Sequence, residues 1–320
     1  MRLCTYTARG LARLGALRGE DRVVDLNRAY EDRLVARGES RPAEGALSRV
    51  PPDMVAFLAG GDESMAAARH AIAHADEAFA ADPEAAVAQG LAVDRAEPGF
   101  RLEAPVPRPG TVLAIGVNYK DHADEAGFDL PEHPVLFSKV ATCIVGPGAP
   151  IVRPRVSELL DWEGELCFVV GKRARHVSAG EALGYVAGFT IGHDVSVRDW
   201  QFHSQTMMMG KSFDSHGPMG PALVTRDEVP DYRDLDLKTF VNGELKQDSN
   251  TRHLIFGVEE VLEYVTQAFT LLPGDVIFTG TPSGIGGSRR PPEFLKAGDV
   301  VRIEIGGLGT LENPVVDEEL

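Results

Sequence analysis

A chain of 320 residues with 43% hydrophobic and 25% charged residues has a globular balance, large enough for one big domain or two unequal ones. Its formal net charge of −16 argues against a nucleic-acid backbone or an anionic membrane as partner. An anionic substrate would have to meet locally placed Lys and Arg.

No apolar run approaches the roughly 20 residues needed to span a bilayer. The N-terminus, Met1-Arg2-Leu3-Cys4-Thr5-Tyr6, lacks the apolar core of a signal peptide. Cys4, Cys143 and Cys167 are few and unpatterned, and read as reduced core thiols of a cytoplasmic protein.

In chain order, short alternating runs over 3–7, 12–17 and 22–26 predict strands separated by Arg9-Gly10 and Arg18-Gly19-Glu20-Asp21 turns. An Ala-rich segment over 64–81 predicts a helix that stops at Asp82-Pro83. The run from Pro98-Gly99 to Pro109-Gly110 predicts a linker. We therefore expect a small N-terminal α/β accessory module over 1–104 and a catalytic domain over 105–320. Beyond the linker, strands are expected over 111–116, 134–137, 165–171, 275–280 and 299–305, with helices over 120–127, 198–203 and 258–269. That texture predicts a β-rich α+β domain, rolled or barrel-like.

The chemistry concentrates in that second part. Asp161-Trp162-Glu163-Gly164-Glu165 leads into the apolar run Leu166-Cys167-Phe168-Val169-Val170. Residues two apart in a strand share a face, so Glu163 and Glu165 point the same way. Paired acids beside a buried run need a cation or a shared proton. A third acid, Asp194, sits in a second strand-like run, Phe189 to Val195. Three oxygen ligands without a Cys/His cluster suit Mg²⁺ or Mn²⁺, with Ca²⁺ as a possible substitute. Together these acids predict a metal-dependent enzyme. His193, on the opposite face, falls outside the set, and His203 and His216 read as structural.

His122 and Glu125 fall at i and i+3 on a predicted helix, where a carboxylate can orient an imidazole as a general base. Gly210-Lys211-Ser212 lacks the glycine that a phosphate loop places five residues before Gly210, since Gln205 stands there. Lys211 is better suited to anchoring a carboxylate or an oxyanion. The turn Thr279 to Gly287 could cradle an anion with backbone amides but lacks dinucleotide spacing. Ser196-Val197-Arg198-Asp199 has the form of a capping box.

The order of these pieces resembles the fumarylacetoacetate hydrolase family. Asn118-Tyr119 with His122 and Glu125, Phe137-x-Lys139 and Glu163-Gly164-Glu165 come first. Asp194-Val195-Ser196-x-Arg198-Asp199-x-Gln201, Gly210-Lys211-Ser212-Phe213-Asp214, Val241-Asn242-Gly243 and Gly280-Thr281-Pro282-x-Gly284-Ile285-Gly286 follow, from about Arg108 to the C-terminus. The resemblance implies a rolled β core, a homodimer, and Mg²⁺ or Mn²⁺ on Glu163, Glu165 and Asp194. It implies a His122–Glu125 dyad that activates water, Lys211 as charge stabiliser, and Tyr119, Lys139, Arg198, Gln201 and Thr281 around a small 2-oxo acid. The implied reaction is hydrolysis of a C–C bond in an acylpyruvate or related 2,4-diketo acid. Oxaloacetate decarboxylation and 2-oxo-diacid isomerisation are the enzymatic alternatives, and non-catalytic metal or 2-oxo-acid binding is a third. His193 for asparagine, Trp162 for tyrosine and Met207-Met208-Met209 depart from the family pattern, and the methionines suggest an adaptable apolar wall.

Overall fold

The strand Gly164–Val170 is buried along its whole length and pairs antiparallel with Val186–His193 on one side and Val276–Phe278 on the other. Its alternating side chains serve two cores. Leu166, Phe168 and Val170 enter one, while Cys167 and Val169 enter the other. A strand covered on both faces reads as continuous apolar sequence, and here it does. Glu165 shares the parity of Cys167 and Val169, so a carboxylate enters at the end of an apolar row.

The computed structural model describes residues 1–127 and 129–319. Among these, the main sheet runs Ala92–Asp94, Arg22–Asp25, Leu11–Arg18, Arg2–Ala8, Gly217–Thr225, Val186–His193, Gly164–Val170, Val276–Phe278, Val112–Gly116 and Val135–Lys139. A second sheet runs Glu244–Asn250, Asp236–Val241, Val300–Ile305, Gly309–Asp317 and Ile151–Arg153. Antiparallel pairs dominate, and Val276–Phe278 runs parallel to Val112–Gly116. The class is the strand-rich α+β mixture expected. No sheet closes into a barrel among the described residues.

The second sheet and the helix Val258–Ala268 cover the Leu166 face. That helix buries Val258, Val261, Leu262 and Val265, the i, i+3, i+4, i+7 stripe of an amphipathic helix. The opposite face is covered by the helix Gly61–Ala81, whose buried Ala67, Ala68, Ala71 and Ala75 are small enough to pack closely. Strand Arg2–Ala8 pairs with Gly217–Thr225, so the N-terminal strands extend the sheet that carries the acids.

The sequence reading missed three helices ahead of Gly61: Leu26–Ala36, Pro42–Arg49 and Met54–Ala59. They are short; Leu26–Ala36 buries only Leu26, Asn27 and Ala29, too narrow a stripe to register as periodicity. Two open on aspartate caps: Asp25 accepts from Arg28 N and Asp53 from Ala56 N.

Candidate active site

Strand ends, three short helices and one turn bring the predicted residues together. Glu163 stands just before Gly164–Val170, and Asp194 just after Val186–His193. These strands are in register at Gly164 and His193, and Asp194 N donates to the Glu163 carbonyl at 2.9 Å. Oxygens of Glu163, Glu165 and Asp194 lie within 4.8 Å of one another, and all three residues are buried.

Cations border this acid cluster. Lys211 Nζ donates to Glu163 Oε2 and Asp194 Oδ2, each at 2.8 Å. Lys139 Nζ donates to Asp194 Oδ1 at 2.6 Å and to the His216 carbonyl at 3.1 Å. Arg198 Nη1 lies 2.7 Å from Glu163 Oε1 and donates to Gln201 Oε1 at 2.9 Å. Lys211 closes the short helix Met208–Lys211, and the preceding Gly210 admits no side chain: a Cβ there would stand 2.2 Å from Gln201 N.

Glu163 and Glu165 titrate in opposite directions. Burial works to raise Glu163, but Lys211 and Arg198 overcome it and hold it below the ordinary carboxylate range. Burial pushes Glu165 well up, and the charges of Asp194 and Glu163 push it further. Glu165 is thus a buried carboxylate whose negative charge is under-compensated by protein. A buried all-oxygen donor set with that deficit fits a hard divalent ion.

His122 and Glu125 lie on the helix Lys120–Ala126, with His122 Nδ1 3.7 Å from Glu125 Oε2. That is too long for a hydrogen bond, and Nδ1 has no partner among the described residues. Catalytic bonds of this kind are commonly loose without substrate. Against the effect of burial, His122 and the Gly284 amide hold the Glu125 carboxyl below its ordinary value.

The turn after Val276–Phe278 does cradle anions, and they are the protein's own. Gly280 N donates to Glu165 Oε2 at 2.7 Å, and Gly284 N to both oxygens of Glu125 at 3.1 Å. Gly286 N and Gly287 N donate to the two oxygens of Asp161 at 2.7 and 2.8 Å. Asp161 in turn accepts from Arg198 Nε at 2.7 Å. Asp161 opens the acidic stretch on which the sequence argument turned, yet only its two successors were singled out. Its position two residues ahead of Glu163, in the same stretch as the paired acids, was the available signal. Gln247 was also missed, without any sequence signal; it donates to Thr281 Oγ1 at 2.8 Å and accepts from Gly164 N at 2.9 Å.

A cavity of about 690 Å³ is lined by His122, Glu125, Glu163, Glu165, Asp194, Arg198, Gln201, Lys211 and Thr281. Two expected substrate residues lie behind its wall. Tyr119 is fully buried with its hydroxyl unpartnered among the described residues, and Lys139 is taken up by Asp194 and main-chain carbonyls. Of the three methionines only Met207 lines the cavity, while Met209 is exposed. The capping box does not form: Ser196 Oγ donates to the Asp194 carbonyl, and Asp199 accepts from Ser157.

Residues 111–316 match the model of the fumarylacetoacetate (FAA) hydrolase C-terminal family. The chain belongs to the fumarylacetoacetate hydrolase family. It is an enzyme of that family. It is 42% identical over 268 residues to the oxaloacetate tautomerase Fahd2a, mitochondrial, of Rattus norvegicus, covering 83% of this chain and 80% of that one. Among solved structures it resembles a fumarylacetoacetate hydrolase from Exiguobacterium antarcticum, with TM-score 0.77, 30% identity and coverage of 99% and 100%. It also resembles a 2-hydroxyhepta-2,4-diene-1,7-dioate isomerase from Mycobacterium marinum, with TM-score 0.71, 29% identity and full coverage of both chains. No described helix is long and apolar enough to cross a membrane.

Proposed function

We propose that this enzyme interconverts the keto and enol forms of a small 2-oxo acid, with oxaloacetate as its substrate. The observation that carries the reading is that the His122–Glu125 pair and the acid cluster line one cavity. The family relative named as an oxaloacetate tautomerase supports the choice of reaction. This reverses the order expected from sequence, where C–C hydrolysis led and isomerisation of a 2-oxo diacid was an alternative.

Tautomerisation needs one base and one charge stabiliser. Arg198 and Gln201 would bind the carboxylate next to the 2-oxo group. His122 Nδ1 faces Glu125, which leaves Nε2 to take the proton from the carbon beside the carbonyl. Lys211 would stabilise the charge growing on the 2-oxo oxygen. His122 then returns the proton to that oxygen, completing the enol with no water consumed. A divalent ion held by Glu163, Glu165 and Asp194 would supply Lewis-acid polarisation and the positive charge that Glu165 lacks.

A second reading, hydrolysis of an acylpyruvate, is favoured by the size of the cavity, which exceeds what a four-carbon acid requires. Ile115, Val135, Phe137 and Met207 give it an apolar wall for an acyl group. In that reaction His122 would instead deprotonate water. The buried free thiols fit a reducing compartment such as the cytoplasm.

The test is to add protein and Mg²⁺ to enol-oxaloacetate and follow loss of enol absorbance, with products identified by NMR. Accelerated ketonisation without release of pyruvate supports the tautomerase. Pyruvate with CO₂ would make the protein a decarboxylase. Inertness toward oxaloacetate, with cleavage of acetylpyruvate or fumarylpyruvate, would replace the first reading by the second.

A further inference from the structure

The segment after the Gly-rich turn carries Arg289 and Arg290, an adjacent basic pair in an acidic chain, and both line the same cavity. The segment is a closed loop. Arg289 N and Glu293 N both donate to the Gly286 carbonyl, at 3.2 and 3.1 Å, and Leu295 N donates to Leu160 O at 2.8 Å. Pro291 and Pro292 fix φ between them. Arg289 is held from behind, since its Nη2 donates to the Lys246 carbonyl at 3.0 Å. Its Nε is buried with no hydrogen-bond partner among the described residues. The nearest acid, Glu293, lies 3.8 Å from that Nε and is already bonded to Lys246 at 2.7 Å.

Lys211 is committed to Glu163 and Asp194, and Arg198 is committed to Asp161 and Glu163 through Nε and Nη1, which leaves its Nη2 without a partner among the described residues for the 2-oxo-carboxylate end. A buried guanidinium N–H without an acceptor is unfavourable until something accepts from it. Charge points the same way. Among the described residues the cavity is lined by four carboxylates and four Lys or Arg, so a divalent ion leaves it with two positive charges. A dicarboxylate dianion would neutralise them.

We propose that Arg289, assisted by Arg290 at the exposed side, binds the distal carboxylate of a 2-oxo diacid whose 2-oxo-carboxylate end lies at the acid cluster. This rests on the 2-oxo-acid reading above and adds to it the residues that would hold the second carboxylate. The planar guanidinium fork suits a carboxylate better than an ammonium does, so lysine is a poor substitute.

The test is calorimetric binding of oxalate, malate and lactate to the Mg²⁺-loaded protein. Oxalate reports the metal end alone, while malate and lactate differ by the distal carboxylate. Wild type should bind malate at least about tenfold more tightly than lactate. Arg289→Met should erase that advantage while oxalate binding is retained, and Arg289→Lys should restore only part of it. Equal binding of malate and lactate by wild type, a comparison that needs no variant, would overturn the subsite while leaving the 2-oxo-acid reading intact. So would a malate preference that persists in the Arg289→Met, Arg290→Met double variant. Failure of oxalate to bind wild type would overturn the 2-oxo-acid reading, and this inference with it.

Discussion

Asp161, fully buried, accepts from Arg198 Nε at 2.7 Å and so sets the plane of the guanidinium that meets Glu163 and Gln201. Its two oxygens accept four donors in all: Trp162 N, Gly286 N, Gly287 N and Arg198 Nε. In Asp161→Asn the new amide N–H₂ must face donors, whichever way it is turned. Breaking a buried pair on one side costs on the order of 3 kcal/mol. Urea denaturation should show a loss of that order, and oxalate binding should weaken as Arg198 swings free. An unchanged midpoint together with unchanged oxalate affinity would show that Asp161 positions nothing.

His122→Ala should lower kcat by about 10²–10⁴ while oxalate binding by calorimetry stays as in wild type. Glu125→Gln should have a smaller effect in the same direction, because it orients the imidazole without exchanging the proton. Retained turnover in His122→Ala would remove the dyad from the reaction.

Gly284 has φ +99°, and a Cβ there would meet the Lys246 carbonyl oxygen at 2.2 Å. Gly284→Ala must therefore displace the turn and with it the amide that holds Glu125. Strain of this kind is worth about 1–3 kcal/mol. The variant should melt lower and lose more activity than Glu125→Gln; a fully active, equally stable protein would sink the idea.

His216 donates from Nε2 to the Val152 carbonyl at 2.8 Å, and burial pushes its pKa down to about 4. The unfolded chain protonates this residue near 6.5, so between 6.5 and 4 only the unfolded state gains the proton. Stability then falls as pH drops through that window, with no further contribution below it, by about 2 kcal/mol at pH 5 relative to pH 7.5. Denaturation midpoints of wild type and His216→Asn at both pH values check this. The variant should lose part of the pH slope, and an identical slope would refute it.

Asp194→Asn should weaken Mg²⁺ binding at least tenfold by calorimetry. It should also lower the melting temperature of metal-free protein, since Lys139 and Lys211 both lose an anionic partner. Metal affinity equal to wild type would take Asp194 out of the ligand set.

The grouping of the candidate site was legible wherever it depends on residues close in sequence. Glu163 with Glu165, and His122 with Glu125, are local spacings that secondary structure converts directly into a shared face. The strands that carry the acids were legible too, because a doubly covered strand reads as an apolar run. What escaped depends on pairing across long separations. Nothing near Arg2 announces its pairing with Val224, and nothing near Asp161 announces that Gly286 and Gly287 will meet it. The turn was read as a cradle for a ligand because local sequence shows free amides but not the carboxylates that fill them. Tyr119 and Lys139 were expected on the cavity from the family resemblance alone, and a matched motif says nothing of which side of the wall a side chain takes.

One stretch of main chain, Gly280 to Gly287, fastens the acid cluster, the dyad and the Arg198 clamp. Backbone amides do this work, and Gly280, Gly284 and Gly286 leave no room for a Cβ, so the stretch is fixed in composition at those three positions. It is fixed in length as well. Adding or removing a single residue would put these three attachments out of step, and an insertion scan should find no tolerated site within it.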